Sequence, residues 1–485
     1  MKHYLAIDLG GDKGRVSVGS FDGRHLSLKE ISRFDNSPVQ VMGTIYWDLL
    51  NVFRCISEAI SSAKRTYGPS LRSLGIDSWG GDFGLLGEDG RLLKNLIHYR
   101  DPSSAGMFDE VYSRVPKGSV FAETGVPFSE LNSLCQLLAI SLNYTALYQA
   151  ADRLLFVPDM LNYWLTGKMA ANRTIASASQ FYNPVTKDWA HDLLAGLGLR
   201  EDLFAELVDP CTILGQADEL SVVNVGSHDT ASAFAAVPMR TGARCAFISS
   251  GAWSSVGAEL DEPVIEDAVK LSGFANEVGI CNTIRFIKCI PGLWILQELR
   301  RMWHDQGHNY SWQDMDNLVS AAIPHGYLID PSAEVFRSPE NMELCIKDFC
   351  EQTGQGRPED HGSILRAAYD GLALLYADTF NTLKDLTGKE FDLVRIVGGG
   401  SKNILLNQLT ANAIGLPVIS GPMRAKAIGN VIGQMIAMGD IDSLAEGREI
   451  IRNSFSFESR VFSPRDATDW AIAMERWHGL FHRSV

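Results

Sequence analysis

The fold is decided by a glycine-rich stretch near the start of the chain, Asp8-Leu9-Gly10-Gly11-Asp12-Lys13-Gly14-Arg15. It lies between two apolar segments, residues 4–9 and 16–21, that we predict to be strands. Three closely spaced glycines let the backbone turn tightly and direct its N–H groups at an anion. The stretch therefore suits a hairpin that binds phosphate, and it equally suits a plain hairpin with a solvated Asp-Lys tip. It matches neither a Walker A loop nor GxGxxG.

The same pattern of strand, small-residue turn and strand returns in the second half of the chain, around Ser249-Ser250-Gly251-Ala252-Trp253. A third turn, Val397-Gly398-Gly399-Gly400-Ser401-Lys402, joins a predicted strand to a predicted helix and would present free amides at the helix N-terminus. Helices are predicted over residues 48–65, 361–386, 403–414 and 425–438. A strand is predicted over residues 393–397, and residues 83–86 before Asp89-Gly90 predict a hairpin. We therefore predict an α/β chain whose two halves meet near residue 240, with one phosphate hairpin in each half.

Composition narrows the class of protein. The 485 residues include 43 Lys and Arg against 58 Asp and Glu, a formal net charge of −15. This balance disfavours nucleic acid and anionic membranes as partners, because phosphate attracts basic surfaces. We predict neither a signal peptide nor a membrane-spanning helix, and the spacing of the cysteines and histidines predicts no zinc site. We expect a cytoplasmic enzyme that acts as a monomer or homodimer.

Two polar segments are candidates for the chemistry. In Gly226-Ser227-His228-Asp229-Thr230-Ala231, Asp229 precedes an Ala-rich helix, so it could cap that helix or act as a general base toward a substrate hydroxyl. In Asp77-Ser78-Trp79-Gly80-Gly81-Asp82, an indole and carboxylates flank flexible backbone, as in a polyol-binding wall, although Trp79 could equally belong to the core. From spacing alone, the capping role is favoured for Asp229.

Together these segments resemble the FGGY carbohydrate kinases of the actin-like ATPase superfamily, and within that family the rhamnulokinase branch. The resemblance extends from residue 4 to about residue 455. It is carried by six stretches: Ile76-Asp77-Ser78-Trp79-Gly80, His98-Tyr99-Arg100-Asp101, residues 158–167 (PDMLNYWLTG), residues 227–233 (SHDTASA), Gly292-Leu293-Trp294 with Gln297, and Ile396-Val397-Gly398-Gly399-Gly400-Ser401. It implies two actin-like (ribonuclease H-like) domains with a central cleft. Residues 1–238 would form the N-terminal sugar-binding domain and residues 239–485 the C-terminal nucleotide-binding domain.

The resemblance further implies an ATP-dependent sugar kinase of rhamnose metabolism, which phosphorylates the 1-hydroxyl of a ketose, foremost L-rhamnulose. Asp229 would be the catalytic base, which reverses the preference for a cap, and Asp8 would hold Mg²⁺ through water. ATP would contact Gly11, Asp12, Lys13, Gly14, Arg15, Ala252, Gln297 and Gly400. The sugar would contact Gly80, Asp82, His228, Thr230 and Cys289.

Several positions depart from the pattern of that family. Gly11-Asp12-Lys13 stands where Ala-Ser-Ser is usual, and Ala252 removes a hydroxyl from the second hairpin. Cys289 replaces a sugar-binding Asn, and Arg424 and Lys426 replace a Glu and a Thr near the nucleotide end. A site that loses a hydrogen-bond partner discriminates between sugars differently. Two alternatives therefore remain: a kinase for another ketose or polyol, such as fuculose, xylulose or ribulose, and a sugar or nucleotide sensor without turnover.

Overall fold

The computed structural model describes residues 1–337 and 339–481, and the fold over these residues is α/β as predicted. Its strands, in chain order, are Lys2–Leu9 (β1), Lys13–Phe21 (β2), Leu26–Asp35 (β3), Val39–Val41 (β4), Thr44–Tyr46 (β5), Leu71–Ser78 (β6), Phe83–Leu86 (β7), Arg153–Phe156 (β8), Ala171–Asn172 (β9), Tyr182–Asn183 (β10), Asp188–Trp189 (β11), Leu207–Val208 (β12), Thr212–Ala217 (β13), Leu220–Asn224 (β14), Cys245–Ser250 (β15), Trp253–Leu260 (β16), Ala275–Val278 (β17), Ile284–Pro291 (β18), Leu393–Val397 (β19), Val418–Ser420 (β20) and Arg460–Phe462 (β21).

The helices, in the same order, are Leu49–Tyr67 (α1), Met107–Arg114 (α2), Ser119–Thr124 (α3), Ser133–Asn143 (α4), Thr145–Ala150 (α5), Val157–Thr166 (α6), Arg173–Ala176 (α7), His191–Leu197 (α8), Asp229–Ala235 (α9), Asp267–Ser272 (α10), Trp294–Asp305 (α11), Trp312–Ala321 (α12), Met342–Gln352 (α13), His361–Thr387 (α14), Ile404–Ile414 (α15), Ala425–Ala437 (α16), Leu444–Phe455 (α17) and Ala467–Phe481 (α18). In the described part of the chain, no helix combines the length and the apolar character needed to cross a membrane.

The chain divides into two compact units, each built from separate stretches of sequence. Unit 1 comprises Met1–Thr241, Glu259–Ile287 and Arg424–Ser456. Unit 2 comprises Gly242–Ala258, Lys288–Met423 and the described part of Phe457–Val485. The units divide the chain differently from the predicted domains 1–238 and 239–485, because residues 259–287 and 424–456 have their contacts in unit 1.

Unit 1 is organised around a six-stranded sheet with the order β13-β14-β6-β1-β2-β3. Strand β1 pairs antiparallel with β2 and parallel with β6, so it lies inside the sheet. Its residues from Tyr4 to Leu9 are all buried, which explains why it is a continuous apolar run broken only by Asp8. Helix α1 packs on this sheet through a stripe of apolar residues at helical spacing, and Asp48 caps its N-terminus by accepting a hydrogen bond from the Asn51 N–H at 3.1 Å.

Helix α16, from late in the sequence, packs against the sheet of unit 1 and against α9. Gln434 Nε2 donates to the carbonyl of Leu5 in β1 at 3.0 Å, and Asn430 Nδ2 donates to the carbonyl of Gly75 in β6 at 3.1 Å. Where the helix crosses α9 it carries Gly429, whose Cβ would lie 1.7 Å from the carbonyl oxygen of Ser232. A glycine is therefore required at this crossing, because any side chain would force the helices apart.

Unit 2 is built on strands β15, β16, β19, β20 and β21. Strand β15 pairs antiparallel with β16 and parallel with β19. Strand β20 continues the sheet parallel to β19, and β21 pairs antiparallel with β20. The long helix α14 is buried along most of its length, in agreement with its predicted apolar face, and it packs against α12 and α15.

One local prediction was incomplete. The segment 83–86 does turn back at Asp89-Gly90: the Gly87 N–H donates to the carbonyl of Arg91 and the Leu93 N–H to that of Leu85, each at 2.9 Å, although the returning segment forms only an isolated bridge. The longer pairing of β7, which was not predicted, is antiparallel with β8, far along the chain.

Candidate active site

Two carboxylates lie side by side at one end of the unit 1 sheet. Asp8 near the end of β1 is in register with Asp77 near the end of the parallel strand β6. Both are buried: Asp8 is 7% exposed and Asp77 is 0% exposed. Burial raises the pKa of each carboxyl, and the charge of Asp8 adds to the effect on the pKa of Asp77. Asp77 Oδ2 accepts a hydrogen bond from Asn430 Nδ2 at 2.6 Å, whereas Oδ1 has no partner among the described residues.

A third carboxylate, Asp229, is paired with a lysine. Asp229 is the first residue of α9, and the capping position belongs to His228, which makes no side-chain cap. The interpretation of Asp229 as the helix cap is therefore wrong. Its Oδ2 instead accepts from Lys426 Nζ in the first turn of α16. Burial opposes the ammonium charge, but attraction to Asp229 and Asp8 prevails and raises the pKa of Lys426 above its ordinary value. One ammonium thus offsets part of the charge of three acids.

A buried ion pair contacts His228 and Thr230, the residues on either side of Asp229. His228 Nδ1 lies 3.0 Å from Glu277 Oε2 on β17. Arg285 on β18 donates to the same Glu277 oxygen at 2.7 Å and to Thr230 Oγ1 at 2.6 Å. Neither Glu277 nor Arg285 belongs to a local motif, so neither could be predicted as a site residue from the sequence.

Gly80 and Asp82 have different surroundings. A Cβ on Gly80 would lie 3.2 Å from His228 Nε2, so this glycine keeps the space over that nitrogen open. Asp82 is fully buried, and its Oδ2 accepts from Trp47 Nε1 at 2.6 Å and from Trp79 Nε1 at 2.8 Å. Burial raises the pKa of Asp82 to about 6, although the two indole hydrogen bonds oppose this shift. Trp79 is 9% exposed and lies against Trp47, with ring centroids 4.1 Å apart, so it belongs to the core.

The glycine-rich loop forms the turn between β1 and β2. Gly10 N–H donates to the carbonyl of Lys13 at 3.0 Å, and Asn36 fixes the loop by donating to the carbonyls of Gly10 at 2.8 Å and Asp12 at 2.9 Å. Gly14 is buried, and a Cβ there would lie 2.2 Å from the ring of Phe34. The remaining members of the predicted phosphate loop are exposed: Gly11, Asp12, Lys13 and Arg15. Arg15 also reaches Asp8, with Nη1 at 4.0 Å from Oδ2.

The other predicted nucleotide contacts and Cys289 belong to unit 2. The turn after β19 packs on the β15–β16 hairpin, because a Cβ on Gly400 would lie 2.0 Å from Ser250 Oγ. Ala252 and Gln297 are exposed. A backbone hydrogen bond links the segments that carry Ala252 and Gln297. The Leu293 N–H, one turn before Gln297, donates to the carbonyl of Gly251 at 2.8 Å. Cys289 is exposed on β18.

The described residues contain no group of three or more His, Cys, Asp or Glu side chains arranged to hold a metal ion directly. The carboxylates of Asp8, Asp77 and Asp229 nevertheless influence one another electrostatically, and one oxygen of Asp77 is unsatisfied. Oxygen donors with incomplete hydrogen bonding suit a hard cation that keeps several of its own waters. The residues present therefore fit Mg²⁺ held through water.

Comparison with known proteins identifies relatives along the whole chain. Residues 3–233 match the N-terminal domain, and residues 246–438 the C-terminal domain, of the FGGY family of carbohydrate kinases. A rhamnulokinase of Bacteroides thetaiotaomicron is 38% identical over 482 residues, which cover 97% of this chain and 98% of the relative. Another from Lactiplantibacillus plantarum is 35% identical over 468 residues and covers 94% of each chain.

Solved structures establish the fold. A ligand-bound xylulose kinase from Lactobacillus acidophilus superposes with a TM-score of 0.82 at 14% identity and covers 100% of this chain and 99% of its own. The glycerol kinase of Plasmodium falciparum, solved with ADP, gives 0.80 at 16% identity and covers 100% and 98%. The predicted fold, an α/β arrangement of two actin-like domains, is thereby confirmed.

Proposed function

The chain belongs to the FGGY family of carbohydrate kinases and is an ATP-dependent sugar kinase, and we propose that it transfers the γ-phosphoryl group of ATP to the 1-hydroxyl of L-rhamnulose. The sugar is proposed from the rhamnulokinases that share 34–38% identity with this chain over nearly its full length. The small-molecule sugar and ATP are then its partners.

Asp229 is the catalytic base in this proposal. Its carboxylate would accept the proton of the sugar hydroxyl as that oxygen attacks the γ-phosphorus, and ADP would leave. The observation that carries the proposal is that Asp229 is 8% exposed, does not cap its helix and lies between His228 and Thr230, two side chains able to hold sugar hydroxyls. A positioned base of this kind contributes about 10²–10⁴ in rate.

Asp8 is the proposed Mg²⁺ residue, acting through water, with the unsatisfied oxygen of Asp77 beside it. When bound, Mg²⁺ would neutralise charge on the phosphate oxygens of ATP. Lys426 contributes a fixed positive charge at the same sheet end, because its ammonium is held by Asp229 and attracted by Asp8.

ATP is proposed to bind mainly through backbone amides, since the net charge of −15 offers no general attraction for an anion. The exposed turn formed by Gly11, Asp12, Lys13 and Arg15 would meet the phosphates, and the side chain of Lys13 would offset their charge. In unit 2, Ala252, Gln297 and Gly400 are the proposed contacts.

The sugar is proposed to contact Gly80, His228, Thr230 and Cys289. Asp82 acts indirectly in this scheme, because its described hydrogen bonds go to protein groups and orient the indoles of Trp47 and Trp79 next to Gly80. Its direct contact with sugar, predicted from the family, stays a prediction.

A coupled assay of ADP release over a panel of ketoses and polyols tests the function. L-rhamnulose should give the highest kcat/KM, above fuculose, xylulose and ribulose. A higher value for one of the others would identify a different sugar kinase. If ATP or sugar binds by calorimetry while no member of the panel is turned over, the sensor alternative, which the altered residues Asp12, Lys13 and Ala252 motivate, replaces the proposal.

A further inference from the structure

A buried ion pair behind the proposed sugar site has no role in the reaction described above. Glu277 is 8% exposed and Arg285 is 0% exposed, and they lie on the neighbouring antiparallel strands β17 and β18. Arg285 Nε donates to the carbonyl of Val278 at 3.1 Å, and this hydrogen bond fixes the orientation of the guanidinium toward Glu277. Burying two charges is costly unless their hydrogen bonds are well made, so a pair in this position calls for a reason.

The pair dictates which way hydrogen bonds point at His228. The carboxylate of Glu277 is ionised, because Arg285 and His228 lower its pKa to about 2 in spite of burial. An ionised carboxylate only accepts hydrogen bonds. His228 Nδ1 lies 3.0 Å from Glu277 Oε2 and 3.4 Å from Arg285 Nη2, and the shorter contact, to the carboxylate, assigns a proton to Nδ1. In neutral imidazole the other nitrogen, Nε2, is then an acceptor.

The same pair dictates the role of Thr230. The guanidinium of Arg285 has only donors, so Thr230 Oγ1 accepts from it at 2.6 Å. One lone pair of the hydroxyl is thereby used, and its proton is free to point elsewhere. Thr230 consequently presents a donor, whereas His228 presents an acceptor.

The acceptor nitrogen has no hydrogen-bond partner among the described residues. A Cβ on Gly80 would stand 3.2 Å from His228 Nε2, and the nearest carboxylate oxygen, Asp229 Oδ1, is 3.9 Å away, which is too long for a hydrogen bond. The backbone of His228 is held as well, since its N–H donates to Thr174 Oγ1 at 3.1 Å. The ring therefore has one defined orientation and one unoccupied acceptor.

We propose that Glu277 and Arg285 are positioning residues that set the hydrogen-bond polarity of the sugar site, with His228 Nε2 as acceptor and Thr230 Oγ1 as donor. The inference rests on the proposed function in that it takes the ligand of these two groups to be the sugar. Its consequence is chemical: the sugar must offer a hydroxyl that donates to His228, and a separate oxygen that accepts from Thr230. An analogue in which fluorine replaces the first hydroxyl should be rejected, because fluorine cannot donate, whereas fluorine at the second position should be tolerated.

The first test needs no turnover. Nitrogen-15 NMR of histidine-labelled protein, with the signal of His228 assigned from its loss in His228→Gln, reports which ring nitrogen carries the proton. We expect a protonated Nδ1 and an unprotonated Nε2 in the wild-type protein at neutral pH without ligand. A protonated Nε2, in either the opposite tautomer or the imidazolium, would overturn the proposal even if the enzyme proves to be a rhamnulokinase.

The second test uses Glu277→Gln, which can donate to His228 and so release the tautomer, with Glu277→Asp as the variant that keeps the carboxylate. We expect Glu277→Gln to raise the KM for the sugar about tenfold, the effect of one hydrogen bond, with the KM for ATP unchanged and partial recovery in Glu277→Asp. The exposed Glu262→Gln is the matched control and should behave as wild type.

Monofluoro analogues of the sugar complete the second test. The analogue with fluorine at the hydroxyl that donates to His228 should be rejected more strongly by the wild-type enzyme than by Glu277→Gln. A folded Glu277→Gln with unaltered sugar KM and unaltered analogue preference would refute the proposal. If Glu277→Gln does not fold, the tautomer of His228 in the wild-type protein still tests the proposal. Absence of turnover in the wild type with every sugar would count against the proposed function alone.

Discussion

Lys426 Nζ donates a hydrogen bond to the carboxylate of Asp229 across 197 positions of sequence. The proposed base therefore rests in an ion pair with a lysine from a distant part of the sequence. Burial opposes the charge of Lys426, but attraction to Asp229, Asp8 and Asp77 raises the pKa of the lysine, so the three acids share one ammonium.

Replacing Lys426 should make the acid cluster a better cation site. Lys426→Met removes the ammonium and leaves three carboxylates to repel one another, so a bound Mg²⁺ relieves more repulsion than in the wild type. We expect Mg²⁺ without ATP to raise the Tm of Lys426→Met more than that of the wild type. Thermal unfolding over a Mg²⁺ titration measures this, with the exposed Lys168→Met as control. Equal Tm shifts in all three proteins would show that Lys426 does not govern cation binding.

Asp229→Asn should abolish most of the activity without unfolding the protein. The amide is nearly isosteric but cannot take the proton of the sugar hydroxyl, so kcat should fall by at least about 10². Steady-state ADP release with the preferred sugar measures kcat, and circular dichroism checks the fold. The exposed Asp192→Asn serves as the matched control. Turnover close to wild type in Asp229→Asn would remove this residue from the role of base.

Gly429→Ala should destabilise unit 1. The new Cβ would lie 1.7 Å from the carbonyl oxygen of Ser232, and neither backbone can yield without separating α16 from α9. Overpacking of this kind costs about 1–3 kcal/mol, and we expect the upper end because the obstacle is backbone. Urea denaturation measures the loss. In the control, Gly479→Ala on α18, nothing lies within 4 Å of the new Cβ, so a small gain in stability is expected instead. Equal stability of the two variants would contradict the tight crossing.

Cys289→Asn should shift sugar preference toward L-rhamnulose if this position reads the sugar. The amide supplies both a donor and an acceptor, whereas the thiol is a weak partner for a hydroxyl. The readout is the ratio of kcat/KM for rhamnulose to that for xylulose, which should rise. The variant Cys345→Asn, at another cysteine of unit 2, controls for a general effect of the change. An unchanged ratio in Cys289→Asn would place specificity elsewhere.

Glu277→Gln should reduce the loss of folding stability that occurs as the pH falls. The pKa of Glu277 is lowered to about 2, so its ionised form contributes stability that is present above the unfolded pKa and is lost as pH falls from about 4.5 toward 2. The free energy of unfolding, measured in urea at pH 6 and pH 3.5, should fall less between these values in Glu277→Gln than in the wild type. At pH 6 the variant should be the less stable protein, because Arg285 loses its counter-charge. Glu262→Gln should keep the wild-type pH dependence, and an equal pH dependence in Glu277→Gln would contradict the ion pair.

Local patterns in the sequence predicted the features that local hydrogen bonds create. Strand β19 has the predicted bounds, and helix α14 extends the prediction by a single residue. The glycine turns around Gly11 and Gly400 were found because a glycine-rich stretch between apolar segments is a strong local signal of a turn. The same logic failed at Asp229, where the capping preference of an aspartate before a helix was overridden by a tertiary partner.

Contacts between distant segments were beyond the reach of sequence reasoning. Glu277 and Arg285 follow ordinary strand alternation, and no short motif distinguishes them from other surface or core positions. Lys426 was noticed as a departure from the family pattern, yet its partner became known only when α16 was found against α9 in unit 1. The pairing of β7 with β8 was missed for the same reason, since a nearby turn is a stronger local signal than a strand much later in the chain.

The late position of α16 has a consequence for how the protein is made. When the first 241 residues have left the ribosome, the sheet, the glycine turn and Asp229 already exist, but the helix that covers β1 and pairs with the base is still unsynthesised. Until then the nascent chain exposes an apolar face and an aspartate without its lysine, the kind of surface that attracts chaperones and invites aggregation. Closing so long a loop is also slow, because its entropy is lost before its contacts form. The ion pair between Lys426 and Asp229 can therefore form only after α16 has been synthesised.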